Sequence, residues 1–526
     1  MFNLNNLFKK FLFVFILLHL ILFNINAAEW GDSYRILRAS NYIRDFSYPA
    51  DEKRPPLFSS ALATYPSFVD PVVWGRFIML IISVLALYFS YKIFKYFRPT
   101  SSTYENLLYL MLVGLNPVYL YWSIRLMADV PFSLIVLVSF YLYLTWRNEN
   151  SVLKPFIVGL FAALSVLTRF EGFILFGSLG LGYLLNNADL KNLLNNTKKR
   201  FYTLLSYVFG FIAVTFPYFL IRNPFTSSYF EEPGRRLYDI NTAAIFLLSL
   251  VFLFGFTSAL FFVLAGLNNH KLLSQIKQLF ISIPGLLVFI LIETTLVLLW
   301  PAAVPRLFVA IIPFIAIPIA YLINAYFENS KKPNLRDLFL LGLLLGVFVL
   351  GQFHYRLQFL VVMKYVFVFV VILQLFNIFF IYLKFYKGFL FTLFMSLLIW
   401  SFSSIWIHKD IFSVIKEANV FVNSRLCGTI GHNDVSSVSD WYLNQLQPNT
   451  NISACRKGVY LDITDKSNRE YDVLLEKGID YILVTNEHNT DTTINLSEWP
   501  HLEEIAEFEK TVNGKRFFTK VIKFNR

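Results

Sequence analysis

Long apolar segments occur throughout the first 407 residues and limit what this chain can fold into. Each is near the length of about 20 residues that an α-helix needs to cross a bilayer. They cover residues 11–27, 74–96, 104–122, 128–146, 201–221, 243–267, 279–299, 307–327, 337–353, 359–383 and 388–407. The chain is 56% hydrophobic and only 15% charged, which a single soluble domain of 526 residues cannot accommodate. We therefore expect a polytopic α-helical membrane protein.

The apolar segment 153–187 differs from the others because Arg169 and Glu171 interrupt it. Each charge would cost about 3 kcal/mol near the centre of a membrane helix. Two short spans joined by a turn at residues 168–172 avoid this cost, and the expected total becomes about thirteen spans with the termini on opposite sides. An alternative for the first segment is a cleaved signal peptide ending near residues 27–28, which would leave twelve spans.

The loops between the spans carry different cations on the two sides. Lysines concentrate on one side, for example at Lys9, Lys92, Lys198, Lys331 and Lys384. The positive-inside rule makes that side cytoplasmic. The opposite side carries mainly arginines, whose guanidinium suits bidentate recognition of phosphate or carboxylate. These arginines are candidates for binding an anionic lipid head group, and the alternative is that each one only extends to the membrane interface.

The chain divides into two domains. Residues 1–407 form the helix bundle, with a long first outer loop at residues 28–73 that is expected to contain the active site. Residues 408–526 are expected to form a soluble α/β domain with a helix at 471–477, a buried strand at 481–485 and a hairpin at 503–524 that turns at Asn513-Gly514. The expected topology exports this domain, where Cys427 and Cys455 either form a disulfide or remain free thiols.

Two aspartates lie at expected outer ends of the bundle. Asp32, in the sequence EWGDSY at positions 29–34, follows the first apolar segment, where partial burial would raise its pKa. Its alternative role is the N-cap of a helix at residues 33–44. Asp129 opens the span 128–146, and its alternative is likewise a helix cap, with Pro131 in the first turn.

Several motifs of other function classes are absent from the sequence. There is no P-loop, no dinucleotide-binding fingerprint and no HExxH sequence, so ATP-driven transport and zinc proteolysis lack their usual residues. Cys427, His432 and Asp434 lack a second close pair of ligands, so we predict no metal site there. No nucleic-acid partner is expected.

The order of several short motifs resembles that of the GT-C membrane glycosyltransferases, particularly the protein O-mannosyltransferase and aminoarabinose-transferase group. The motifs are GDSY at 31–34, RPPLF at 54–58, NP at 116–117, ADVP at 128–131, LTRFEG at 167–172 and PRLF at 305–308. Those enzymes carry an Asp-Glu pair at the first motif, and here Ser33 replaces the Glu. The resemblance covers mainly the first 330 residues, and it extends to the long first outer loop and the exported C-terminal domain.

The resemblance implies transfer of a sugar from a polyprenyl-phosphate donor to an acceptor on the extracytoplasmic face, with inversion at the anomeric carbon. The acceptor is a protein, a lipid or a glycan. Asp32 is implied as the general base, and Asp129 as the second catalytic residue, on the acceptor or metal side of the site. The residues expected to bind substrate are Tyr34, Arg35, Arg54, Arg125, Arg169, Glu171 and Arg306. Arg306 is expected on the donor phosphate, and a divalent metal between Asp32 and that phosphate is an open alternative.

Two other function classes fit parts of the sequence. A transporter or flippase of lipid-linked sugars accounts for the spans and the outer arginines, although transporters usually show repeat symmetry and broken helices near the bilayer midplane. A scaffold with an exported sensor domain leaves Asp32, Asp129 and the charged turn at 168–172 without a role. We therefore expect a multi-pass glycosyltransferase of the plasma membrane.

Overall fold

Helices dominate the structure as far as residue 425 and a small sheet follows. This computed structural model describes residues 6–149, 151–185, 197–222, 239–267, 274, 282–300, 304–328, 333–354, 360–445, 455–463, 465–487, 498–512 and 514–526. The bundle helices are α1 (Asn6–Ile21), α2 (Gly31–Arg44), α3 (Leu57–Leu62), α4 (Pro71–Phe97), α5 (Thr103–Gly114), α6 (Pro117–Ser123), α7 (Asp129–Trp146), α8 (Leu153–Val166), α9 (Gly172–Leu185), α10 (Thr197–Ile221), α11 (Ile240–Leu253), α12 (Thr257–Leu267), α13 (Pro284–Leu299), a 3-10 helix (Pro305–Ala310), α14 (Ile312–Glu328), α15 (Leu335–His354), α16 (Lys364–Tyr382) and α17 (Tyr386–Ile407).

Six helices within the described ranges are long and apolar enough to cross a membrane: α4, α7, α10, α15, α16 and α17. Helices α11 and α12 form a seventh candidate that is bent by 86° at the break between them. Gly255 in this break has φ of 86°, a conformation that glycine adopts without steric cost. Helices α8, α9, α13 and α14 are apolar but shorter than 18 residues. A polytopic helical membrane protein is confirmed, whereas the count of thirteen spans stays a prediction.

Two local predictions about the spans have different outcomes. The turn expected at residues 168–172 is confirmed, since α8 ends at Val166 and α9 begins at Gly172. The segment expected to span the membrane at 104–122 is not one continuous helix, because the chain breaks it into α5 and α6. Pro117 has no backbone N–H to continue α5, and the Asn116 side chain caps α6 by accepting from the Val118 N–H at 3.0 Å.

A buried ion pair fixes the first outer loop to the bundle. Nε of Arg76 on α4 donates to Oε1 of Glu29 at 2.8 Å, and the side chains are 8% and 0% exposed. The other oxygen of Glu29 accepts from the Leu126 N–H at 3.4 Å. Because Glu29 lies two residues before α2 and Leu126 lies three residues before α7, one carboxylate sets the starts of both helices relative to each other.

The C-terminal domain is a five-stranded mixed sheet with short helices. Its helices are α18 (Ser413–Arg425), α19 (Val438–Asp440) and α20 (Tyr471–Glu476), and its strands are β1 (Gly428–His432), β2 (Arg456–Tyr460), β3 (Tyr481–Thr485), β4 (Leu502–Val512) and β5 (Lys515–Phe524). The strand order is β2-β1-β3-β5-β4, in which β1 runs parallel to β2 and β3 while β5 is antiparallel to β3 and β4.

The secondary structure predicted for this domain is largely confirmed. The predicted helix, strand and hairpin correspond to α20, β3 and β4-β5, although Asn513 of the predicted turn lies outside the described residues. Of the two alternatives for the cysteines, the disulfide is the one observed, and it joins Cys427 to Cys455.

Candidate functional site

A cavity of about 400 Å³ lies where the starts of α2 and α7 meet the 3-10 helix and the C-terminal domain. Two carboxylates and five cationic side chains line it: Asp32, Asp129, Arg35, Lys53, Arg54, Arg169 and Arg306. Much of the remaining wall is aromatic and consists of Trp30, Trp122, Phe170, Trp300 and Phe412. The excess of positive charge suits an anionic group, and the aromatic rings suit an adjacent apolar or ring-shaped group.

Asp32 lies in the first turn of α2 and faces two arginines. Its Oδ1 is 2.5 Å from Nη2 of Arg54, and its Oδ2 is 3.2 Å from Nη2 of Arg306. The helix begins at Gly31 with Trp30 as the N-cap residue, and no side chain caps it. The alternative that Asp32 serves as an N-cap is therefore wrong, since both of its oxygens are directed to guanidinium groups.

The two arginines also decide the protonation of Asp32. Burial by itself would raise the pKa of this carboxyl, but Arg54 and Arg306, with a weaker contribution from Arg35, outweigh burial and hold the pKa well below its usual range. The expectation of a raised pKa is therefore wrong. It assumed burial alone, because the sequence does not reveal that arginines 22 and 274 residues away converge on this group.

Asp129 forms the second acidic position of the cavity. Nη1 of Arg169 lies 2.5 Å from Oδ1 of Asp129, and Arg169 also donates to Oε1 of Glu171. The N-cap residue of α7 is Ala128, and no side chain caps this helix, so the capping alternative is wrong for Asp129 as well. Nε of Arg306 is 3.9 Å from Oδ2 of Asp129, so Arg306 approaches both aspartates.

These contacts form one row of alternating charges. In order, the row is Glu52, Arg54, Asp32, Arg306, Asp129, Arg169 and Glu171. Glu52, which the sequence analysis missed, is only 2% exposed and lies 3.0 Å from Nη1 of Arg54. Its position two residues before Arg54 in the same polar loop was the available signal. The row connects the first outer loop, the 3-10 helix, α7 and the turn between α8 and α9.

The C-terminal domain closes one side of the cavity through Phe412, Val435 and Ser436. Nε of Arg35 donates to Oγ of Ser437 at 2.9 Å. The backbone of Ser436 also packs so closely on Gly31 that a Cβ at that position would overlap it. This part of the site was not predicted, because contacts between residues about 400 positions apart leave no local pattern in the sequence.

Three residues expected to bind substrate, Tyr34, Arg125 and Glu171, lie outside the cavity lining. Tyr34 is 1% exposed, its hydroxyl accepts from the Glu29 N–H at 3.2 Å, and its ring lies near Trp441. Arg125 is fully buried, and its Nη2 donates to the His408 carbonyl at 3.1 Å. Arg125 also lies with its guanidinium carbon 5.6 Å from the ring centre of Trp30, which does line the cavity. Glu171 is also outside the lining and reaches the site through Arg169.

The carboxylates of the cavity do not fit a divalent cation as they are arranged here. Within the described ranges, no three His, Cys, Asp or Glu side chains are grouped closely enough to hold a metal. Both oxygens of Asp32 face guanidinium groups, and so does Oδ1 of Asp129. A cation here would meet positive charge before it met a complete set of oxygen ligands.

Comparisons with known proteins identify the fold. No family model matches the chain, and no curated protein matches it significantly. ArnT from Cupriavidus metallidurans bound to undecaprenyl phosphate is 13% identical, with 97% of each chain covered and a TM-score of 0.59. Its apo state gives the same identity and coverage with a TM-score of 0.60. Arabinofuranosyltransferase AftD from Mycobacteria is 10% identical, with 98% of this chain and 40% of AftD covered and a TM-score of 0.52.

These matches confirm the fold class expected from the sequence. The chain has the GT-C fold, a membrane helix bundle followed here by the C-terminal α/β domain. The likeness covers the cavity-forming elements of both domains, because it extends over nearly the whole chain.

Proposed function

We propose that this protein is a membrane glycosyltransferase that transfers a sugar from a polyprenyl-phosphate-linked donor to an acceptor hydroxyl. The proposal rests on Asp32, which lies between Arg54 and Arg306 in a cavity shared by both domains. The reaction needs a carboxylate to take a proton and positive charge to stabilise a departing phosphate. The shared fold of ArnT, which was solved with undecaprenyl phosphate, supports a lipid phosphate as the leaving group.

In the proposed reaction, the acceptor oxygen attacks the anomeric carbon from the side opposite the phosphate, so the configuration inverts. The bond between that carbon and the phosphate oxygen breaks, and its electron pair stays on the phosphate. The phosphodiester monoanion thereby becomes a phosphomonoester dianion. The proton of the acceptor hydroxyl passes to Asp32, and Arg54 and Arg306 stabilise the charge that the phosphate gains.

We assign Asp129 to the acceptor side of the same cavity. Its Oδ2 is buried and has no hydrogen-bond partner among the described residues, while Oδ1 is held by Arg169. A buried carboxylate oxygen without a donor is costly, and a hydroxyl group of the sugar or the acceptor would satisfy it. In this assignment Arg169 and Glu171 position Asp129, and a protein, lipid or glycan acceptor remains compatible with the site.

The lysine-rich loops predict the side of the membrane on which this reaction occurs. With those loops in the cytoplasm, the cavity and the C-terminal domain face the extracytoplasmic side of the plasma membrane. The disulfide between Cys427 and Cys455 fits an oxidising compartment of this kind.

The direct test is sugar transfer from a panel of radiolabelled polyprenyl phosphate sugars, with the native chain and Asp32→Asn at matched levels of folded protein. We expect Asp32→Asn to lower turnover by about 10²–10⁴-fold, the usual contribution of a positioned base. Asp51→Asn is the control, because Asp51 pairs with Arg38 in the same loop and is 71% exposed. Equal turnover of Asp32→Asn and the native chain removes Asp32 from the mechanism, and no turnover with any donor contradicts the proposed function.

The bend between α11 and α12 is a feature that transporters also show. The hydroxyls of Thr257 and Ser258, which follow the bend, each donate to Oε1 of Gln374 at 3.2 Å. The rings of Phe252 and Phe256 pack against Trp400 with centroid distances of 5.0 and 5.6 Å. The bend is thus accounted for by contacts between helices, and it needs no transported ligand to explain it.

A further inference from the structure

Asp32 is engaged at both of its oxygens by guanidinium groups. Arg54 approaches Oδ1 at 2.5 Å and Arg306 approaches Oδ2 at 3.2 Å. A carboxylate whose negative charge is shared with two guanidinium groups accepts a proton poorly. While it is paired in this way, the base of the proposed reaction is held by the same arginines that the reaction needs for the phosphate.

Both arginines have a second anchor that does not involve Asp32. Nη1 of Arg54 lies 3.0 Å from Oε1 of Glu52, which is nearly fully buried. Arg306 lies with its guanidinium carbon 5.3 Å from the ring centre of Trp122, and its Nε is 3.9 Å from Asp129. Each guanidinium can therefore release Asp32 and still keep its place in the cavity wall. The Nη2 groups now directed to Asp32 would become available to another anion.

We propose that the phosphate of the donor displaces Asp32 from Arg54 and Arg306, so that the base is released only when the donor is bound. This rests on the proposed function and adds a regulation of its site. A phosphate oxygen offers these guanidinium groups the same geometry as a carboxylate oxygen. Asp32, once freed, is the more basic because the positive charge beside it has been neutralised by the phosphate.

Proton transfer to Asp32 keeps the total charge of the site constant, and the exchange places the developing charge beside the two arginines. Before the step, Asp32 carries one negative charge and the phosphodiester carries another. After the step, Asp32 is protonated and the phosphomonoester carries both charges, next to Arg54 and Arg306. The arginines therefore interact most strongly with the group on which charge develops, which is the condition for stabilising a transition state.

Two roles of Asp32 predict opposite effects on phosphate affinity: competition with the phosphate for the arginines, or support of the arginines that bind it. If Asp32 competes with the phosphate, its removal strengthens phosphate binding, because the arginines are no longer shared and one negative charge is gone. If Asp32 instead holds the arginines in place for the phosphate, its removal weakens binding. The measurement is the equilibrium binding of undecaprenyl phosphate to the purified full chain in detergent, which needs no turnover.

We expect Asp32→Asn to bind undecaprenyl phosphate at least about tenfold more tightly than the native chain does. Asp51→Asn removes a carboxylate from the exposed pair with Arg38 and should leave the affinity unchanged. Glu52→Gln removes the anchor of Arg54 and should weaken binding. Binding by Asp32→Asn that equals or falls below that of the native chain, including no binding by either, overturns the proposal.

The outcomes also separate this proposal from the proposed function. Sugar transfer by the native chain together with unchanged binding by Asp32→Asn overturns the exchange and leaves the glycosyltransferase function intact. If Asp32→Asn binds undecaprenyl phosphate more tightly but the native chain transfers sugar from no donor, the exchange of anions is supported and sugar transfer is contradicted.

Discussion

Nη1 of Arg169 lies 2.5 Å from Oδ1 of Asp129 and joins the turn between α8 and α9 to the first residue of α7. The side chains are 15% and 3% exposed, and Arg169 also pairs with Glu171. Arg169→Leu would remove the cation that pairs most closely with two buried carboxylates, Asp129 and Glu171. We expect the free energy of unfolding to fall by about 3–5 kcal/mol, as for other broken buried ion pairs.

Thermal unfolding of the purified protein in detergent measures this effect. Arg38→Leu is the matched control, because Arg38 pairs with Asp51, which is 71% exposed, and such exposed pairs contribute less than about 1 kcal/mol. Similar melting temperatures for the two variants would mean that the pairing of Arg169 with Asp129 and Glu171 does not stabilise the contact between α7 and the turn that joins α8 to α9.

The sequence predicted which charged residues line the cavity better than it predicted how they interact. Arg169 stood out because a charged residue within an apolar segment is costly. Asp32, Asp129 and Arg306 were predicted mainly from the resemblance to the GT-C glycosyltransferases, and Arg54 was predicted from its motif at 54–58 and from the arginines of the outer side. Their pairing was not predictable, because Arg306 meets Asp32 across 274 residues. The pKa of Asp32 was mispredicted for the same reason, since a local window reports burial but not a distant cation.

For the C-terminal domain, part of the local structure was predictable from the sequence, but its role in the cavity was not. Helix α20 and strands β3, β4 and β5 were predicted from local apolar patterns and from the turn residues around Gly514, whereas helices α18 and α19 and strands β1 and β2 were not predicted. The contribution of the domain to the cavity was not predictable, because Ser436 and Phe412 have ordinary side chains and gain their role from where the domain docks. The break of α5 from α6 was signalled by Asn116-Pro117, but the length of the apolar segment was given more weight.

Gly31→Ala should disturb the contact between the two domains. A Cβ at Gly31 would overlap the carbonyl of Ser436, which is backbone and cannot turn aside. The segment that carries Ser436 and Ser437 must then shift, and the hydrogen bond from Arg35 to Ser437 is lost with it. We expect reduced sugar transfer and faster proteolysis of the C-terminal domain under native conditions.

Gly177→Ala in α9 provides the control for a glycine replaced by alanine. A Cβ at Gly177 meets no atom within 4 Å, so this variant should keep native transfer and protease resistance. Native behaviour of Gly31→Ala would show that the docking of Ser436 on α2 is not required.

The disulfide between Cys427 and Cys455 should be present in cells and should stabilise the C-terminal domain. The two cysteines are 28 residues apart, and in the chain-entropy model the closed loop contributes about 3–4 kcal/mol at 25 °C. Maleimide labelling of whole cells should modify neither cysteine until a reductant is added. Labelling of both thiols without reductant would contradict the proposed exported location. Replacement of both cysteines by serine should lower the melting temperature but leave Asp32 and its arginines in place.

Glu487 should make the stability of the protein depend on pH. Burial raises the pKa of this carboxyl to about 7, and the nearby Asp434 adds to the rise. The Phe412 N–H, which donates to Glu487 at 2.5 Å, and Lys515 both oppose the rise. The pKa in the folded state is therefore above the ordinary value of 4.5. Between pH 4.5 and about pH 7 the folded state binds more protons than the unfolded state, so the stability of the protein falls as the pH rises towards and through about 7.

Glu487→Gln tests this dependence without removing the acceptor for Phe412. The amide oxygen of glutamine can still accept from the Phe412 N–H, which holds a residue with φ of 59°, in the left-handed region. The decline in melting temperature between about pH 5 and pH 8 should therefore become shallower, while the cavity wall that Phe412 forms stays in place. Glu509→Gln, on the exposed face of β4, should keep the native pH dependence. An unchanged slope in Glu487→Gln would mean that Glu487 is already ionised throughout this range, and that the Phe412 N–H and Lys515 outweigh its burial.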